Sequence, residues 1–240
     1  MTPAHQPPLG RSVRSSRLPK PGGGTRRITT LGPNDATAYA RAVAAVTPAI
    51  ERRLGSEVFA NRAPGGMSLE PWRAARIRWK RSAARLIDAG PSAALDVVAC
   101  YHSITPETVE EALQRLRVSH GAAEEIGRVL RAFRAAGVPG IPIGPEPSAV
   151  LANAVLAHVD QQLRAGRLRF VRWVDDILVT GANGRTLDSA ERTVERALAD
   201  LGLRSNLDKR LRFGDRDAAA ASLFGPTASK TSSCLRYSDR

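Results

Sequence analysis

The stretch RFVRWVDDILVTG, residues 169–181, sets two adjacent aspartates, Asp175 and Asp176, between two apolar runs rich in β-forming residues. Strand, Asp-Asp, strand is the pattern of a tight β-hairpin with carboxylates at its tip. Two carboxylates at one spot repel each other, and apolar neighbours make their charge harder to hold. Such a pair needs a cation, or it is an ordinary polar turn. The choice depends on what else the chain brings to the same place.

A second apolar segment supplies a third carboxylate. AALDVVACYHSI, residues 93–104, reads as a buried strand whose single acidic residue is Asp96. If this strand neighbours the hairpin in one sheet, three carboxylates meet at one sheet end. In apolar surroundings that grouping is costly unless a divalent cation neutralises it. Ligation by carboxylates alone selects a hard ion, Mg²⁺ or Mn²⁺. Mg²⁺ held by few carboxylates and completed by phosphate oxygens suits phosphoryl transfer. Two such ions about 3.5–4 Å apart can clamp both the attacking and the leaving oxygen.

The bulk composition narrows the partners. At 240 residues with 42% apolar side chains, the chain can bury a sizeable core as one large domain or two small ones. Its 36 basic residues against 23 acidic ones leave a net charge of +13, which selects a polyanion and disfavours acidic proteins or small cations. Lysine stands only at Lys20, Lys80, Lys209 and Lys230; the remaining positive charge is arginine. No apolar run reaches the ~18 residues of a membrane span. The start, MTPAHQPPLGRSVRSSR, lacks the apolar core of a secretory signal. Cys100 and Cys234 are too few for a disulfide framework or a cysteine zinc site. A cytoplasmic protein that touches nucleic acid and no membrane is expected.

Residues 1–18 read as a flexible basic arm. LPKPGGGTRRITTLGPND, residues 18–35, is a glycine turn with Lys20 before it and Arg26 and Arg27 after it. A basic hairpin at a tight turn suits phosphate contact, and it reads equally as a solvated basic hairpin. Asp35 is expected to cap a helix running to about Leu54, kinked or split at Pro48. The helix in EPWRAARIRWKRSAARLIDAG, residues 70–90, has an apolar stripe of Trp72, Ala75, Trp79, Ala83 and Leu86. Arg78, Arg81 and Arg85 line one flank, either as solvated charge or tracking a nucleic-acid backbone. Thr105 as cap and Pro106 at the first helical position start a further helix. Another ends at Gly137, a rigid Pro- and Gly-rich loop follows over residues 138–148, and a helix leads into the hairpin. After the hairpin come a helix at 186–201 and a short strand. The order predicts a mixed α/β (α+β) fold with a largely antiparallel sheet flanked by helices.

Five segments, in this order, resemble the motifs of reverse transcriptases: PKPGGGTRRIT, LDVVACYHSI, GIPIGPEPSAVLAN, RWVDDILV and LGLRSNLDKR. The resemblance spans about residues 18–215 and implies a right-hand polymerase, with fingers over 19–90 and a palm carrying the catalytic carboxylates over 91–215. Some 25 residues remain at 216–240. They read as a C-terminal tail or primer-grip remnant around SLFG, so the thumb is expected to be absent or vestigial. By the same resemblance Asp96 and Asp175 ligate two Mg²⁺ ions, with Mn²⁺ an alternative, and Asp176 supports them. Lys20 and Arg26 hold the triphosphate, and Ile143 and Gly144 adjoin the nucleotide. Tyr101 lies under its ribose and excludes a 2′-hydroxyl, and Lys209 is an acid toward pyrophosphate.

The implied activity is RNA-directed DNA polymerisation on an RNA template and primer with deoxynucleoside triphosphates. A structured RNA, a partner chain or a homo-oligomer is expected to substitute for the thumb. Trp173 replaces the family's usual tyrosine or phenylalanine, and Ile143 its frequent glutamine. GIPIGPEPS is most similar to retron-like and abortive-infection-type bacterial enzymes, which implies a dedicated RNA and a role in antiviral defence. A catalytically silent RNA-binding relative and a template-independent or protein-primed nucleotidyltransferase are the alternative readings.

Overall fold

Alternation along the hairpin decides how the sheet packs. The computed structural model describes residues 9–19, 23–66, 68–214 and 223. Strands β4 (Arg169–Trp173) and β5 (Asp176–Thr180) form the predicted hairpin. β3 (Ser92–Leu95) pairs with the far side of β5, and β6 (Leu211–Phe213) with the far side of β3, every pair antiparallel. Because successive side chains point to opposite faces, Phe170, Ile177, Val179, Ala93 and Leu95 enter one core. There they meet α1 (Pro33–Glu51), α4 (Pro106–Arg115), α5 (His120–Ala135), α6 (Glu146–Ala165) and α7 (Gly184–Ala199). Val171, Trp173, Leu178 and Phe213 enter a second core on the opposite face. That face is covered by α2 (Trp72–Ile87) through Ala75, Trp79, Ala83 and Leu86, so a helix expected in the fingers shares its core with the palm sheet.

Several local expectations hold. The Thr105 hydroxyl accepts the Thr108 N–H at 3.1 Å at the start of α4, with Pro106 next in line. The helix expected at 186–201 is present as α7, two residues earlier at each end, with Asn183 as a cap the sequence reading did not name, accepting from Thr186 N at 3.0 Å. Gly137, at φ +89°, ends α5 in the left-handed conformation that glycine adopts without strain. Among the described residues no helix is long and apolar enough to cross a membrane.

Four expectations are corrected. The basic arm is not irregular throughout: β1 (Val13–Pro19) pairs with β2 (Thr25–Leu31) from Val13↔Leu31 to Pro19↔Thr25. Asp35 is not the cap of α1, which starts at Gly32 and Pro33. Its buried carboxylate instead accepts from Gly10 N at 2.8 Å and Ser12 N at 3.2 Å, tying the hairpin to the helix. Pro48 does not split α1, because it sits in the last turn, where its missing N–H removes a single ladder bond. The strand expected over 93–104 ends at Leu95. Beyond it the Asp96 carbonyl accepts from Asn206 N at 2.7 Å and Val98 N donates to Arg204 O at 2.9 Å. Ala99, at φ +45°, then turns the chain into the short α3 (Cys100–Ser103). Of the tail expected as a primer-grip strand, only Leu223 is described; it is helical in conformation and packs against the second core.

Candidate active site

The hairpin register pairs Trp173 with Asp176 and leaves Val174 and Asp175 as a two-residue turn. Val174 takes φ +55°, an uncommon conformation for a β-branched residue that costs on the order of 1–3 kcal/mol. It is held there from behind. Arg172 Nη1 donates to the Val174 carbonyl at 2.8 Å and to Asn153 Oδ1 at 2.9 Å. The rest of its guanidinium forks onto Asp160 of α6 at 2.8 and 2.7 Å, the whole pair fully buried. The turn that presents the carboxylates is therefore fixed by an ion pair on the opposite face of the sheet.

Register also brings in the third carboxylate. Leu95 pairs with Ile177, so the next step along the ladder sets Asp96 level with Asp176. The three carboxylates feel one another. Burial, and then the charge of Asp96, push the Asp175 carboxyl up to about 6, against the pull of its own backbone bond, Lys209 and Arg26. Asp176 is driven well above the ordinary carboxylate range by burial first, then by Asp175 and Asp96, with Arg76 and Lys209 opposing. Lys209, in a 3₁₀ turn before β6, donates from Nζ to Asp96 Oδ2 at 3.0 Å, and Asn206 Nδ2 donates to the same oxygen at 3.2 Å. Desolvation works against the Lys209 charge; the Asp96 hydrogen bond and the three carboxylates outweigh it and raise its pKa.

The donor set fits a hard divalent cation in chemistry, and the raised carboxyls show negative charge left undercompensated at this sheet end. The three side chains are not drawn into a ready cage, however: among the described residues no three His, Cys, Asp or Glu side chains are grouped so as to hold a metal. Mg²⁺ commonly uses only one or two carboxylates together with water and substrate phosphates, so the arrangement still accommodates it.

The remaining predicted residues sit on two flanking pieces. Arg26 lies on β2, half-buried, close enough for its charge to act on Asp175. Lys20 lies outside the described residues. Tyr101, on α3, is partly buried and packs against both cores, and its carbonyl accepts from Ile141 N at 3.0 Å. The loop bearing Ile143 and Gly144 presses closely on this helix: a Cβ on Gly140 would stand 2.2 Å from the Tyr101 carbonyl oxygen. The Ile143 carbonyl in turn accepts from Thr29 N of β2 at 2.7 Å. Gly144 itself takes φ +125°, where a Cβ would lie 3.0 Å from Thr29 O. Trp173, the departure from the expected ring, is buried edge-on against Trp79 at 6.1 Å and faces α2.

Three side chains were not anticipated. Arg76 stacks over Trp79 at 4.1 Å and Trp173 at 4.9 Å, and its charge acts on Asp176. Asn206 had been no more than a letter in a motif. Arg172 was visible as a charge inside the apolar run FVRWV, and Asn153 and Asp160 as polar positions seven apart on the preceding apolar helix, but nothing in the sequence joins the two signals.

An antiparallel sheet backed by helices, with carboxylates at the tip of its β4–β5 hairpin and at the end of the neighbouring strand, is consistent with a polymerase-type palm. The chain belongs to the reverse transcriptase (RNA-dependent DNA polymerase) family, whose model matches residues 18–217. That membership supports nucleotidyltransferase activity of the reverse-transcriptase type, on nucleic acid and deoxynucleotides, in a family that generally uses divalent metals. No curated protein matches the chain.

Proposed function

We propose that the protein is an RNA-directed DNA polymerase that adds deoxynucleotides to a primer 3′-hydroxyl by phosphoryl transfer. The observation that carries this reading is the register that sets Asp96 level with Asp176 beside the Asp175 turn, with Lys209 on Asp96. Asp96 and Asp175 would hold two Mg²⁺ ions, or Mn²⁺, with Asp176 beside them. The ions would supply charge to the attacking and leaving oxygens. Arg26 and Lys20 bind the triphosphate as bidentate and point charges respectively. Tyr101 fills the space a 2′-hydroxyl would need, and Ile143 and Gly144 bound the nucleotide from the loop. Lys209 would give a proton to the departing pyrophosphate, and its contact with Asp96 at 3.0 Å supports that reading. The retron-like loop sequence supports the finer reading of a cytoplasmic bacterial enzyme working on a dedicated RNA in antiviral defence.

The test is primer extension by the purified chain with Mg²⁺ and an RNA template, deoxy- and ribonucleotides supplied separately. Template-matched DNA that falls to background in Asp175→Ala is the expected result. Ribonucleotide incorporation by Tyr101→Ala, but not by the parent, would assign the sugar gate. RNA binding without product in the parent, under the same conditions, would favour the silent relative. Product made without template would favour the template-independent reading.

A further inference from the structure

Helix α2 carries Arg73, Arg76, Arg78, Lys80, Arg81 and Arg85 and no acidic residue in its 16 positions. Like charges three and four residues apart destabilise a helix, so an all-cationic helix needs compensation from elsewhere. Part of it comes from within the fold. Arg76 turns inward onto the two tryptophans. Arg78 pairs with Glu70 at 2.6 Å, and nearby Arg62 pairs with Glu51 at 2.8 Å while donating to the Gly55 and Val58 carbonyls. Those bonds fix the segment before α2 as the far wall of a cavity of about 610 Å³, lined by Phe59, Arg62, Glu70, Arg78, Arg81 and Arg85 among others. Arg81 and Arg85 have no ion-pair partner among the described residues, and both are exposed. Ile77, 53% exposed, stands one turn before Arg81.

We propose that this cavity is a second nucleic-acid site, which holds the phosphates of single-stranded RNA outside the catalytic carboxylates. Arginine forks recognise phosphate oxygens in pairs. Arg78, Arg81 and Arg85 rise along one helix flank in steps of about 4.5 and 6 Å, on the scale of successive phosphates. Arg76 marks the end of α2 beside Asp176, and Arg85 lies about 13 Å further along the axis. A strand seated in the cavity therefore leads away from the catalytic end of the palm. Phe59 and Val58 of the lining give its sugars and bases an apolar contact, and the +13 net charge supplies the long-range attraction. The inference rests on the protein handling nucleic acid, but not on its being catalytically active.

The test uses the full chain and a labelled oligouridine RNA. Phenylglyoxal modification of the parent protein, read by peptide mapping, should show Arg81 and Arg85 protected when the RNA is bound. Arg81→Gln/Arg85→Gln should weaken RNA binding about tenfold at low salt. The double variant should also make the dependence of log affinity on log salt shallower by roughly 1.4, because each contact on a single strand contributes about 0.7. Nucleotide incorporation at saturating primer–template should be unchanged. Unprotected arginines, or unaltered affinity and salt slope, would overturn the site. So would equal protection by a free deoxynucleoside triphosphate, which would make it a mononucleotide pocket. Protection by RNA in a protein that extends no primer would leave the site standing and remove the polymerase reading.

Discussion

The two faces of one small sheet treat buried charge in opposite ways. On the face toward α6, Arg172 and Asp160 are withdrawn from water altogether, yet every polar atom of the fork finds a partner: two carboxylate oxygens, the Asn153 amide oxygen and the Val174 carbonyl. On the edge facing α2 and the β1–β2 hairpin, three carboxylates share one end of the sheet with Lys209, Arg76 and Arg26 nearby, and two of them still resist ionisation. The first arrangement is closed and needs nothing further. The second is open, and its undercompensated negative charge would favour a cation there. A buried ion pair is itself weak support for stability; its use here is to hold the strained turn that displays the open site.

Breaking the closed side should have the largest effect. Arg172→Ala strands Asp160 in the core and releases Val174, and should lower stability by about 3–5 kcal/mol in denaturant titration. Arg172→Met combined with Asp160→Leu should cost far less, because no charge is left stranded. An equal loss in both variants would mean that packing, and not charge, is what the pair supplies.

The open side should respond with the opposite sign. The folded Asp175 pKa, about 6, lies above its unfolded value, so the folded state binds the extra proton. This contribution favours folding below about pH 4, is lost as pH rises through about 6, and is a net penalty at neutral pH. In metal-free protein Asp175→Asn should therefore raise stability at pH 7 by on the order of 1–3 kcal/mol while abolishing incorporation. Metal-free parent should gain stability as pH falls from 7 to 5, relative to Asp175→Asn, and added Mg²⁺ should flatten that difference. A parent less stable than the variant at every pH by the same margin would remove the titration argument.

The smallest effect sharpens the boundary between the faces. Arg76→Met keeps the stem packed on Trp79 and Trp173 but removes the cation, and should cost about 1 kcal/mol. It should also deepen the loss of stability of the metal-free protein as pH rises and carry that loss to higher pH, because Asp176 loses an opposing charge. A melting curve whose pH dependence does not move would confine Arg76 to packing.

The open side was the legible one. A pair of aspartates between period-two apolar runs announces a hairpin tip, and a lone Asp96 in an apolar segment announces a charge that needs a reason. The strand around Asp96 was read too long because Val97, Val98 and Ala99 look β-prone; past Leu95 only a short bridge to residues 204–206, over a hundred positions away, continues it before Ala99 turns the chain into α3. β1 was missed because VRSSRLP has almost no apolar alternation, and its order comes from β2 and the Asp35 carboxylate. Arg172 and Asp160 are twelve residues apart on elements of different period, so nothing in the one-dimensional pattern pairs them. Arg76 was one cation among six on α2, and only its stacking on two tryptophans separates it from the rest.

The bond from Thr29 to Ile143 also has a mechanical consequence. It yokes the hairpin that carries Arg26 to the loop that carries Gly144, and the tight seat of Gly140 on α3 yokes that loop to Tyr101. The three surfaces that would meet a nucleotide's phosphates, base and sugar thus form one jaw. A misfit at any of them would be passed to the other two, so a change at one of these residues would also disturb how its neighbours are held.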